Sequence, residues 1–142
     1  MPGVRSPAMT SDVYWGLDHA TQAFGNGTAD DAEIHSYLVP VDGRVIAWGH
    51  QVTVTVVSDT NVPTLSLEST DYDDGATTTE QDTVTIVAGT AAANTVVWRN
   101  LNFGNGVAVT AGQHVRVVVK THAHDGAGAG SVRHFVLFRP GS

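Results

Sequence analysis

Cysteine is absent from all 142 residues. That removes disulfides, thiolate metal sites and a cysteine nucleophile together, so stability has to come from packing or assembly. Charge is scarce too, at 15% of residues, against about 25% in an average soluble domain. The charges present lean one way: 14 Asp and Glu against 7 Lys and Arg, a formal net charge of -7. A chain of that sign is repelled by phosphate backbones and anionic lipid, which argues against nucleic acid and membranes as partners. No run approaches the ~20 apolar residues of a membrane-spanning helix. Residues 1–10 hold one arginine and no apolar stretch of the secretion-signal kind, so synthesis in the cytoplasm without a signal peptide is expected.

What is abundant is the chemistry of strands and turns. From residue 33 onward, eight runs of β-branched character are separated by Gly, Asn, Asp and Pro clusters: 33–39, 44–57, 63–69, 82–88, 95–103, 107–110, 113–122 and 131–139. Val52, Val54 and Val56 alternate with Thr53 and Thr55, and Val115, Val117 and Val119 with Arg116 and Lys120, as a pleat with one buried face requires. Ile46 and Trp48 fall in phase with Val52, and Trp98 with Val96, which places both tryptophans in the core. Asp42-Gly43, Asp74-Gly75, Asn105-Gly106 and Ala111-Gly112 offer glycine where a turn wants positive φ. Strands joined this way are expected to be antiparallel. The expected fold is all-β, an antiparallel two-sheet sandwich of jelly-roll type over residues 33–142.

Residues 1–32 differ in texture, with Pro2, Pro7 and no period-two run, and are expected to form an extended N-terminal arm. Tyr14, Trp15, Leu17 and Phe24 give it apolar side chains without a common face, so they need a surface to lie on. That surface is either the arm's own domain or a neighbouring subunit, and the four residues are the candidate partner-binding anchors. At the other end, Phe135, Val136, Leu137 and Phe138 make a strand apolar on both faces. Something must cover the second face, either the arm or another chain, which makes these four the candidate subunit interface.

Signs of chemistry are weaker. His122 and His124 sit one residue apart, a spacing that puts two imidazoles on one face of a strand. The pair lacks an evident third ligand, since on a continuing strand Asp125 would point the other way and His114 would lie about 26 Å upstream. It also lacks the downstream glutamate of the cupin metal motif. Asp71, Asp73 and Asp74 with Gly75 form an oxygen-rich turn, but the glycine falls too early for a helix-flanked calcium loop. Both features read as surface groups, so no metal and no cofactor is expected. No Gly-X-Ser-X-Gly elbow or ordered triad occurs, and no catalytic residue is assigned.

An extended arm, the series EIHSYLVPVDGRVIAWGHQVTVTV and the late elements VTAGQHVRVVVKT and SVRHFVLFRP resemble the small decoration, or cement, proteins of tailed bacteriophage heads. The resemblance covers most of the chain and lies in organisation and texture. It implies a homotrimer on the outer capsid surface of a virion, bound to the major capsid protein, with arms reaching adjacent subunits. The alternative is a carbohydrate- or receptor-binding module of a head fibre or tail tip. A third reading, a cupin-like metalloenzyme, rests on His122 and His124 alone.

Overall fold

The period-two runs become strands, and their order in space follows one rule. The computed structural model describes residues 11–16, 22–23, 32–58, 63–71, 78–86, 89–121 and 129–141. Within these lie β1 (Val13–Trp15), β2 (Gln22–Ala23), β3 (Ala32–Leu38), β4 (Gly43–Ser58), β5 (Thr64–Thr70), β6 (Thr78–Thr85), β7 (Gly89–Ala91), β8 (Val96–Asn100), β9 (Val107–Val109), β10 (His114–Thr121) and β11 (Ala129–Pro140). One sheet is ordered β1-β11-β4, with β7, β8 and β9 all pairing along the far side of the long β4, and β2 joining β11. The other is ordered β3-β10-β5-β6. Every pairing is antiparallel.

The pairs β1·β11, β3·β10, β4·β8 and β5·β6 match the first element of the chain with the last, then the next with the next. This is a long antiparallel ribbon rolled up so that successive rungs fall in alternate sheets, which is the jelly-roll arrangement. The expected all-β sandwich is the observed fold.

The two sheets close over an apolar interior. Val45, Trp48, Val52, Val56, Val132, Val136 and Phe138 face Leu65, Leu67, Val84, Val115, Val117 and Val119. Each such side chain contributes roughly 1.5–3 kcal/mol by leaving water. A polar clamp joins the sheets at their β6 and β8 side. The Trp48 indole donates to Asp82 Oδ2 at 2.8 Å, and Arg99 donates from Nε at 2.5 Å and from Nη2 at 2.8 Å to the same carboxylate. Burial pushes the Asp82 carboxyl up, but the hydrogen bonds from Arg99 and Trp48 and the Arg99 charge hold it below its ordinary value.

Several expectations are corrected. Most of the glycine turns are not hairpins. Asp42-Gly43 leads from β3 to β4 and Ala111-Gly112 from β9 to β10, each time from one sheet to the other. Turn chemistry specifies a reversal of direction, not which sheet receives the next strand. Gly106 and Gly112 do have positive φ, whereas Gly43 does not and is required for contact: a Cβ there would meet the Arg139 carbonyl and the Phe138 ring. The run expected at 82–88 lies instead at Thr78–Thr85, because the polar Thr78, Thr79 and Glu80 pair with Thr70, Ser69 and Glu68. Trp98 is not in the core. It is 43% exposed while Trp48 is fully buried, because on β8 the inward phase belongs to Val97 and Arg99.

The segment before residue 33 is part of the sandwich wherever it is described. Val13, Tyr14 and Trp15 pair with Phe138, Leu137 and Val136, and Gln22 and Ala23 pair with Val132 and Ser131. Asp12 anchors the start of β1 by accepting from Arg139 Nε and Nη2 at 2.8 and 2.9 Å. Of the two surfaces open to the arm, these residues use their own domain.

Candidate functional site

Three places carry unusual side-chain chemistry: the layer between the sheets, the outer face of the β1-β11-β4-β8 sheet, and the turn after β8.

In the interior, His50 and His134 are register partners on β4 and β11 and are 0% and 2% exposed. Tyr37 Oη hydrogen-bonds His134 Nε2 at 2.5 Å. Gly16, with φ of 98°, lies against this bond, and a Cβ there would come within 2.9 Å of Tyr37 Oη and 3.2 Å of His134 Nε2. Trp15 covers the group, stacking on Tyr37 at 5.5 Å and on Phe138 at 4.7 Å. Neither ring nitrogen of His50 has a hydrogen-bond partner among the described residues, and burial pushes its pKa down to about 4. A neutral imidazole walled in this way has no route to a substrate. Among the described residues there is no group of three His, Asp or Glu able to hold a metal ion.

The outer face is built in rungs. Arg133 is opposite Gln51, which is opposite Val96; Phe135 is opposite Gly49, which is opposite Trp98; Leu137 is opposite Ala47, which is opposite Asn100. Tyr14 extends the last rung from β1. Gly49 is bare for a reason: a Cβ would collide with the Val97 carbonyl and come within 2.7 Å of the Phe135 ring. Phe135 lies over that gap and Trp98 stacks on it at 5.4 Å and 27°. The Trp98 indole donates to Asn100 Oδ1 at 2.8 Å, which fixes its tilt. Tyr14 meets it at 6.3 Å and 59°. Of the aliphatic members, Ile46, Ala47 and Leu137 are covered, at 7%, 0% and 8%, while Val96 is 58% exposed. Tyr14 and Trp98 stay 49% and 43% exposed. Arg133 has no hydrogen-bond or ion-pair partner among the described residues, although its Nε is buried.

The turn Asn102–Gly104 follows β8. Asn102, Phe103 and Gly104 all have positive φ, at 45°, 54° and 88°, and Phe103 is 100% exposed. Backbone bonds hold the turn: Gly104 and Gly106 donate to Leu101 O at 2.9 and 3.0 Å, and Asn105 donates to Asn102 O at 3.0 Å. Arg44 grips its far side, donating from Nε to Asn105 O at 2.7 Å and from Nη2 to Gly106 O at 3.1 Å. Gly106 abuts Ile46. A bulky residue in the left-handed region costs of order 1–3 kcal/mol and persists only where its surroundings over-determine it.

A hollow of about 280 Å³ lies nearby, lined by Asp42, Arg44, Thr110 and Gln113 among others. Its polar groups are engaged in the corner itself: Asp42 accepts from Ala111 N, and Gln113 both accepts from Thr110 N and donates to Asp71.

The candidates from the sequence separate in space. Tyr14 is on the outer face and Trp15 in the interior, while Leu17 and Phe24 lie outside the described residues. Val136 and Phe138 are 0% and 1% exposed and belong to the core, so they offer nothing to another subunit. Phe135 and Leu137 point outward beneath Trp98 and Tyr14. The second face of β11 is thus covered, at least in part, by this chain's own rings. Asp71 accepts from Gln113 Nε2 at 3.1 Å; Asp73, Asp74, His122 and His124 lie outside the described residues. Sequence reasoning missed Arg133, Gln51 and Phe103. The run NFGNG at 102–106 carries the turn signal that would have found the last of these.

No family model, curated protein or solved structure matches this chain.

Proposed function

We propose that this protein is a structural decoration protein. It binds the outer surface of a tailed-phage head, to the major capsid protein and to copies of itself as a trimer, and stabilises the shell by contact. The observation that carries the reading is the Phe103 turn, where a fully exposed aromatic side chain is held in a strained conformation by backbone and Arg44 hydrogen bonds. Folding gains nothing from exposing a phenyl ring on a strained backbone. Binding does, because a preorganised aromatic anchor enters a partner's apolar socket with little entropy left to lose. The sandwich behind it gives the turn a rigid base, and the acidic net charge keeps such a protein off packaged DNA.

The test is sedimentation of the purified protein alone and with heads stripped of their decoration layer. A trimer that co-sediments with heads is expected, and Phe103→Ser is expected to lower occupancy at least tenfold with little change in melting temperature. A monomer that stays in the supernatant, or a Phe103→Ser variant that binds as the parent does, overturns the proposal.

A further inference from the structure

The geometry points to a second binding site, for an acidic sugar, on the outer face of the β1-β11-β4-β8 sheet, with Trp98 and Tyr14 as its platform and Arg133 as its anion contact. It is independent of the Phe103 turn.

Four observations carry it. First, Phe135 backs one face of the Trp98 indole and Asn100 holds its edge, which leaves the opposite face as a fixed apolar plate. The apolar C–H face of a pyranose suits such a plate, and little side-chain entropy remains to be lost on binding. Second, the exposed groups are of mixed character. Ile46, Ala47, Phe135 and Leu137 are all less than 10% exposed, and the exposed aliphatic of these rungs is Val96 at 58%, one side chain beside Gln51 and not the continuous aliphatic patch that suits a protein partner. What faces solvent is two ring systems and Val96 with amide and guanidinium groups beside them, a pattern that matches a ligand with both C–H and O–H surfaces.

Third, the donors are unspent. Asn100 uses Oδ1 to hold the indole, and its NH2 group has no partner among the described residues and remains for a hydroxyl. Gln51 makes no side-chain hydrogen bond within the described chain. Arg133 stands two residues from Phe135 on β11 and directly opposite Gln51, hence on the same face and about 7 Å along the strand from the platform. Fourth, Arg133 differs from the other described cations. Arg99, Arg116, Lys120 and Arg139 each meet a carboxylate and Arg44 meets two carbonyls. A buried, unpartnered guanidinium N–H costs stability until an acceptor arrives, and carboxylate or sulfate is the acceptor its fork fits best. On a chain of net charge -7, diffuse attraction of a polyanion is disfavoured, so retention of an acidic sugar requires this local contact.

The experiment is a glycan array read with the intact protein, followed by titration with oligosaccharides in three arms: carboxylated (uronic or sialic), sulfated and neutral. Binding to a carboxylated or a sulfated arm at least tenfold tighter than to the neutral arm is expected. Arg133→Gln should bring the acidic arm down to the neutral level, Trp98→Ala should remove binding in every arm, and Phe103→Ser should change neither. Folding of each variant is checked by thermal melting, and Gln51→Ala, a milder change at the same rung, should weaken binding severalfold. Failure of both acidic arms to exceed the neutral one, or an Arg133→Gln variant that binds acidic sugar as the parent does, overturns the site. Because Phe103 is not involved, either result leaves the decoration proposal to be judged by sedimentation.

Discussion

The outward faces of the two sheets are made differently. On the β3-β10-β5-β6 sheet, Glu68 is 2% exposed and is held by Arg116 Nη2 at 3.0 Å and Lys120 Nζ at 2.6 Å. Beside it, Ser66 donates to Glu80 at 3.0 Å. Each of these polar groups has a partner inside the chain. On the opposite sheet the outward face carries half-exposed rings and a guanidinium with no partner among the described residues. Internally satisfied polar groups serve folding, while groups left unsatisfied at a surface are available to something else. The contrast assigns stability to one face and recognition to the other.

Substitutions can break or sharpen that contrast. The largest effect belongs to Glu68→Ala, which leaves two cations facing a buried void. A loss of about 4 kcal/mol in urea unfolding is expected, in the range for removing one partner of a buried pair. A loss below about 1 kcal/mol would show that the network is surface decoration.

Acid attacks between the faces, not on them. His50 titrates at about 4 in the folded protein against an ordinary 6.5, so between those values the unfolded chain binds a proton that the folded one refuses. Its stabilising contribution is complete above pH 6.5 and is lost progressively as pH falls toward 4, a decline of roughly 3 kcal/mol. Asp82, held below its ordinary value of 3.8, adds a further loss only below that pH, as the clamp to Arg99 and Trp48 is protonated. Unfolding free energy measured from pH 7 to 4 should therefore slope in the parent and in Arg133→Gln, and flatten in His50→Leu.

Smaller effects are expected on the recognition face. Trp98→Ala uncovers Phe135 and removes a half-exposed ring, for about 1–2 kcal/mol of stability. Arg133→Gln should fall within about 0.5 kcal/mol of the parent by the same urea assay. The sharpest form of the comparison is that pair of arginines, since Arg116→Gln strips Glu68 of a partner and should cost more than Arg133→Gln.

Reading the chain from residues alone succeeded where a signal is local. Val115, Val117 and Val119, in alternation with Arg116 and Lys120, do line the core, and Gly106 and Gly112 do have positive φ, although β8 and β9 on either side of Gly106 both run antiparallel to β4 and so in one direction, not antiparallel to each other. Period two says which residues share a face only where the register holds, so Val54, expected beside the buried Val52 and Val56, is 56% exposed next to a register shift; nor does it say which face meets the other sheet. Val96 and Trp98 were therefore correctly in phase and wrongly placed inside. His50 sits in the phase of Trp48 and Val52, a legible sign of a buried imidazole, yet its neighbour His134 and the Tyr37 bond depend on contacts 97 residues apart in sequence. The outer-face site was not legible, because Arg133, Gln51 and Trp98 come from three strands brought side by side only by pairing.

By itself the sequence determined that this chain makes strands, that turns break them where Gly and Asn cluster, and that neither disulfides nor thiolate metal sites hold it together. These follow from local sterics and from side-chain inventory. The tertiary structure alone decided that residues 13–15 are a strand of the sandwich, that β11 turns Val136 and Phe138 inward and Phe135 and Leu137 outward beneath Trp98, and that Arg133 is left without a partner among the described residues. Those outcomes depend on which strands meet and in what register, a choice made by packing over distances that no local pattern spans.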